Sequence, residues 1–241
     1  MAMTMALHRN FHWPRLGLAL LLAACGGAIP TAEERRSEQE VAGYNQIMRI
    51  AAVTESGGDL ISAANFYRRA HRMKPAAVAP LLRLGKALIN TGESALAVAE
   101  YRLAQALDAT NIDAYNGLGV ALNLTGEHQS AENNYLDGLE RAPDHLALRN
   151  NLAMSLALGG EYADAIEILR QVTNSPSATA TNRNNLALVF GMMGRYDDAA
   201  SLLRRDLNRE EVKNNLDFYR SLQPLNSRQR ARRIFGVSPA Q

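Results

Sequence analysis

A glycine returns every 34 residues through the middle of this chain: Gly58, Gly92, Gly126, Gly160 and Gly194. Five residues after each stands an alanine (Ala63, Ala97, Ala131, Ala165, Ala199), and four further on comes Tyr67, Tyr101, Tyr135, Leu169 or Leu203. Upstream, Ile50, Leu84, Leu118, Leu152 and Leu186 each precede a small residue: Ala51, Gly85, Gly119, Ala153 and Ala187. Alanine and the residue four positions later share one helix face, and a small residue on a facing helix allows close approach. Glycine after a helix accepts the left-handed conformation that ends it. The unit is therefore a pair of helices around a tight crossing. One such pair cannot bury its own apolar face, so the units must stack.

These residues resemble the tetratricopeptide repeat (TPR) consensus. They place five repeats over residues 44–211, starting at 44, 78, 112, 146 and 180. The resemblance implies an all-α, right-handed superhelical solenoid of helical hairpins with a C-terminal capping helix. Residues 212–223, ahead of Pro224, fit that cap and repeat the Asn-Asn-Leu of earlier first helices. One departure stands out. The tryptophan-like consensus position holds Ile47, Leu81, Tyr115, Arg149 and Arg183, and the two arginines are poor core residues.

The N-terminus reads as an address. Residues 1–15 are polar and positive, and Leu16 to Ala24 is an uncharged apolar run of nine. As a helix that run would span about 14 Å, too short for a hydrocarbon core of about 30 Å, so residues 1–24 match a secretory signal peptide. Leu22-Ala23-Ala24-Cys25-Gly26 resembles the bacterial lipobox, and Cys25 is the single cysteine of the chain. The alternative is an ordinary signal peptide with a chance cysteine. The lipobox resemblance implies that Cys25 is acylated with two or three chains, enough for long-lived membrane attachment. Gly26 in place of an aspartate implies the outer membrane, facing the periplasm. Residues 25–43 would be the acylated cysteine and a tether, whose Glu- and Arg-rich second half can start a helix.

Charge and chemistry narrow the function. Lys and Arg number 26 against 24 acids, and removing residues 1–24 takes away Arg9 and Arg15 and leaves a neutral body. That argues against nucleic acid, whose binding rests on neutralising phosphates. His71, His128 and His145 fall in different repeats without metal-ligand spacing, and no phosphate-cradling glycine loop with lysine is present. No catalytic residue, metal site, cofactor or small-molecule substrate is expected, and the chain is not expected to be an enzyme.

In TPR solenoids the first helices line a concave groove. Carried over by position, that surface includes Met48, Leu82, Lys86, Asn90, Asn116, Val120, Asn123, Asn150, Met154, Leu158, Asn184, Leu188 and Met192. Asn116, Asn150 and Asn184 share one repeat position, and an amide that donates and accepts at once suits the backbone of an extended peptide. Met154, Leu158, Leu188 and Met192 would accept an apolar side chain, with Lys86 the lone cation. The competing reading gives those asparagines to neighbouring helices or water, or hands the role to Asn151 and Asn185. The tail, residues 224–241, carries Arg228, Arg230, Arg232 and Arg233 and is expected to be a solvated end, with docking to an acidic partner or anionic headgroups the alternative, which Phe235 favours.

The lipobox, the NNLA-type first helices and the MGRYDDA turn together resemble the TadD family of tight-adherence (Flp-type) pilus-assembly lipoproteins. That resemblance implies a pilotin-like assembly factor binding a secretin subunit or other pilus component in its groove. A general periplasmic adaptor, presenting substrates to a protease or cell-wall enzyme, is the alternative, and a structural bridge between membrane and cell wall a third.

Overall fold

A computed structural model describes residues 31–236. The expected signal peptide, the lipobox-like residues 22–26 with Cys25 and the first residues of the expected tether lie outside them. The chain divides into two units, residues 1–39 and 40–241, each considered by itself.

In the first unit Thr31 and Glu34 form a capping box: the Glu34 amide donates to Thr31 Oγ1 at 3.1 Å, and the Thr31 amide to Glu34 Oε2 at 2.6 Å. This box starts helix α1 (Ala32–Ser56), which crosses into the second unit. The helix thus begins well inside the segment expected to be tether, because the Thr-x-x-Glu start satisfies the first amides of the helix and places acids at its N-terminus.

The second unit holds the repeats. Helices α2 (Leu60–Met73), α3 (Val78–Asn90), α4 (Ser94–Leu107), α5 (Ile112–Thr125), α6 (His128–Arg141), α7 (Leu146–Gly159), α8 (Tyr162–Thr173), α9 (Ala180–Met192) and α10 (Tyr196–Leu203) follow one another. From α3 onward each packs on its predecessor, which makes a solenoid of hairpins, and no strand occurs among the described residues. All five periodic glycines have positive φ, between 76° and 96°, where any other residue would be strained.

The crossing of the two helices is as tight as the small residues require. A Cβ on Gly85 would sit 2.6 Å from Tyr101 Cε2. Gly117 meets the other edge of the same ring, and Gly119 and Gly191 meet Tyr135 and Tyr219 as closely. Arg149 and Arg183 escape the core by reaching along it. Arg149 Nε donates to the Pro143 carbonyl at 2.8 Å. Arg183 makes a two-pronged pair with Asp206, both contacts 2.6 Å, that ties the fifth hairpin shut. The guanidinium holds the Asp206 carboxyl below the usual carboxylate range.

Helix α11 (Arg209–Leu222) begins at an Asn208–Glu211 capping box and packs on α9 and α10 as the expected cap. Beyond it the tail departs from expectation. Instead of a solvated end, Ser227–Ile234 forms helix α12, capped by Asn226 and Gln229 and packed on α5 and α7. Four arginines made the segment look solvated, but its apolar residues share one face and α12 buries it: Ala231 is fully buried and Ile234 and Phe235 pack on the core.

Candidate functional site

The first helices α3, α5, α7 and α9 lie side by side, each touching the next, and form one continuous face. Asparagines bind this face together. Asn151 Nδ2 donates to Asn116 Oδ1 at 2.6 Å, and Asn185 Nδ2 to Asn150 Oδ1 at 3.1 Å. Asn150 Nδ2 in turn donates to the Leu146 carbonyl at 2.8 Å. The amides of Asn116 and Asn150, expected to read a peptide, are thus engaged by the neighbouring helix through Asn151 and Asn185. Asn184 differs, for its Oδ1 is buried without a protein partner. Asn123 does not face a groove at all. It is fully buried, and its Oδ1 lies 2.9 Å from both His128 Nδ1 and Ser155 Oγ.

That inner cluster carries no catalytic arrangement. Ser155 Oγ is also 3.0 Å from the His128 carbonyl, so its contacts are an amide oxygen and a backbone oxygen rather than a base. Burial holds the His128 imidazole below its ordinary pKa and pushes the enclosed Tyr135 phenol up. Nearby Glu132 is held above the carboxylate range, first by burial and then by the Glu161 charge, while Gln129 donates to it at 3.1 Å. Among the described residues no group of three His, Cys, Asp or Glu is placed to hold a metal.

Met154, Leu158, Leu188 and Met192 are all buried. Helix α12 lies against α7, which carries Met154 and Leu158, and Gln223 Nε2 donates to the Gly191 and Met192 carbonyls at 3.1 Å each. The chain's own C-terminal segment therefore lies over α7 and reaches the end of α9, within the apolar half of the expected groove. Its other half is open. A cleft of about 600 Å³ is lined by Leu82, Lys86, Asn90, Asn116 and Val120, all expected groove positions of the second and third repeats. Tyr101, lodged between Gly85 and Gly117, shares the lining, and Phe235 comes in from α12. Lys86 is exposed and lies 3.9 Å from Glu55.

A second cleft, about 490 Å³, lies where α10 meets α11. Arg204, Arg209, Lys213 and Arg220 surround Leu207, Val212 and Leu216 there. The sequence reading missed this cluster because its cations sit on α11 and the linker before it, off the repeat period. Phe235 was the one tail residue whose aromatic character pointed to docking.

Tetratricopeptide repeat family models match residues 79–111, 125–179 and 179–212. No curated protein sequence matches the chain. Solved structures do. A TPR protein of Thermus thermophilus is 21% identical, covering 76% of this chain and all of its own, with a TM-score of 0.60. The pilF protein of Pseudomonas aeruginosa is 16% identical over 83% of this chain and 95% of its own, with a TM-score of 0.59. YrrB, described as a TPR protein with an unusual peptide-binding site, is 17% identical over 81% of this chain and 99% of its own, with a TM-score of 0.55. At these identities the likeness is one of fold.

Proposed function

Because this chain belongs to the tetratricopeptide repeat family, we propose that it is a protein-binding scaffold, held to the outer membrane by an acylated Cys25, that escorts a secretin subunit or other component of a tight-adherence pilus. The observation that carries this reading is the open cleft, where five first-helix positions converge beside an aromatic floor. A preformed cleft of that size, where Leu82, Val120 and Tyr101 stand among the polar side chains of Arg83, Lys86, Asn90, Asp113 and Asn116, suits a side-chain anchor of a protein partner. Rigid stacking of the hairpins spares the partner the entropic cost of ordering its receptor. The lipobox at residues 22–26 and the TadD-like motifs supply the membrane and the pilus. The likeness in fold to pilF and to YrrB is consistent with it. No helix among the described residues is long and apolar enough to cross a membrane, so the lipid would be the anchor.

The test compares wild type with Cys25→Ser in membranes of the source cell. Palmitate should label the wild type alone, and outer-membrane secretin multimers should be lost in the variant. An unlabelled wild type, or normal multimers in the variant, would overturn the reading.

A further inference from the structure

Helix α12 is the feature that the solenoid fold does not need. The cap is already supplied by α11, yet the chain turns through Gln223–Asn226 and runs back along the first helices. Gln223 fastens the turn to the end of α9. Arg230 holds the helix down, donating to the Leu222 and Gln223 carbonyls at 3.1 Å and to the Tyr162 hydroxyl at 3.3 Å. Ala231, Ile234 and Phe235 stand at i, i+3 and i+4, one face of a helix, and that is the face α12 buries. At the far end Phe235 reaches the cleft that Lys86, Asn116 and Val120 line. Arg228 and Arg233 are exposed.

We propose that α12 is a built-in occupant of the concave groove, and that the partner which displaces it presents an amphipathic, arginine-rich helix: a small residue followed three and four positions on by bulky apolar ones. The inference rests on the groove being the partner site. The seated helix itself says what the groove accepts, since a helix with this pattern lies there now, and laying an apolar helix face into a groove is a recurring mode of recognition. The occupant is displaceable. Its apolar footprint is one fully buried alanine and two half-buried side chains, and a helix of this length is marginal unless packed. It holds its place chiefly by tethering, which gives a short-linked segment an effective concentration on the order of millimolar. A partner wins by offering the same face on a longer helix.

The experiment uses the full chain with methyl groups of Leu and Val labelled for NMR. Ala231→Glu should unseat α12 and move the Leu82, Val120 and Leu158 resonances, leaving the methyls of α2 and α10 and the far-ultraviolet dichroism of the repeats unchanged. A peptide of residues 224–236, titrated to about 5 mM to rival the tether, should return those resonances toward their wild-type positions. The same peptide carrying Ala231→Glu, or scrambled to break the i, i+3, i+4 register, should not. Arg230→Ala, which keeps the apolar face, should give a partial shift in the same direction. Unmoved resonances in Ala231→Glu, or no return with the wild-type peptide, would overturn the proposal; return with the scrambled peptide would reduce the contact to charge and overturn it too. Secretin multimers respond to the escort role and these resonances to groove occupancy, so the two readings fail separately.

Discussion

In the second and third repeats a glycine faces a tyrosine across the helix crossing, Gly85 with Tyr101 and Gly119 with Tyr135. In the fourth and fifth the equivalent places hold Ala153 with Leu169 and Ala187 with Leu203, all buried. In these four repeats one space is filled in two ways, a ring against no side chain or a branched chain against a methyl; the first repeat holds Ala51 with Tyr67, both buried. The two solutions differ in what they leave on the groove side. In the second repeat Gly85 and Gly117 flank the Tyr101 ring, which forms part of the cleft between the second and third repeats. Alanine with leucine leaves that surface apolar, and there α12 lies against α7. The helix pairing is thus kept by volume, while only Tyr101 of the two rings reaches the cleft, Tyr135 being enclosed, and α12 lies on α5 of the third repeat as well as on α7 of the fourth.

The largest effect should come from mixing the two solutions. Gly119→Ala places a methyl inside the Tyr135 ring, which is enclosed on all sides. Overpacking of this kind should cost about 2–3 kcal/mol, read from the urea midpoint. Adding Tyr135→Leu should recover more than half of the loss, a coupling that a double-mutant cycle would register. If the double variant is no more stable than Gly119→Ala, the two repeat types are not interchangeable solutions.

Next in size is the bond between units. Asn150→Ala removes the acceptor for Asn185 and leaves that amide unpaired, which should cost about 1–2 kcal/mol. The same substitution at Asn184, which accepts nothing, should cost less, and equal losses would deny Asn150 its special place. Smaller again is a pH effect at the junction of the two halves. His128 in the folded chain is held below its ordinary pKa of 6.5 by burial. The unfolded chain therefore takes up the proton first, and stability should decline as pH falls from about 6.5 toward the lower folded value. Glu132, raised above 4.5, acts with the opposite sign at lower pH, losing stability as pH rises through that range. His128→Gln should flatten the decline between pH 7 and 5; an unchanged slope would assign it to other groups. Smallest is the exposed pair of Arg195 and Asp198, 2.8 Å apart. Asp198→Ala should change stability by less than about 0.5 kcal/mol.

The stack itself was legible because glycines, alanines and the Tyr or Leu four places later act locally: each turn and crossing is written within one repeat. The start of α1 was legible too, in Thr31-Ala-Glu-Glu34, although a Gly/Ala/Pro-rich lead-in made the segment read as tether. The asparagines were not. Whether Asn150 reads a peptide or binds Asn185 depends on the rotation of one helix against another 35 residues away, which no periodicity encodes. Asn123 shows the same limit: at a groove position by count, it faces inward to Ser155. The seat of α12 was hidden because three apolar residues among four arginines make a weak pattern, and their worth appears only against the surface that receives them.

The asparagine bonds repeat with the same stride as the hairpins, offset by one residue: 116 to 151, then 150 to 185. Splicing out residues 146–179 would remove Asn150 and Asn151 together and bring Asn185 to the place of Asn151. Asn116 would then find a donor of the same kind at the same distance along the chain. Whole hairpins can in this way be lost or duplicated in one genetic step with the asparagine ladder intact, whereas gain or loss of a single residue within a hairpin throws the ladder bond that spans it out of register.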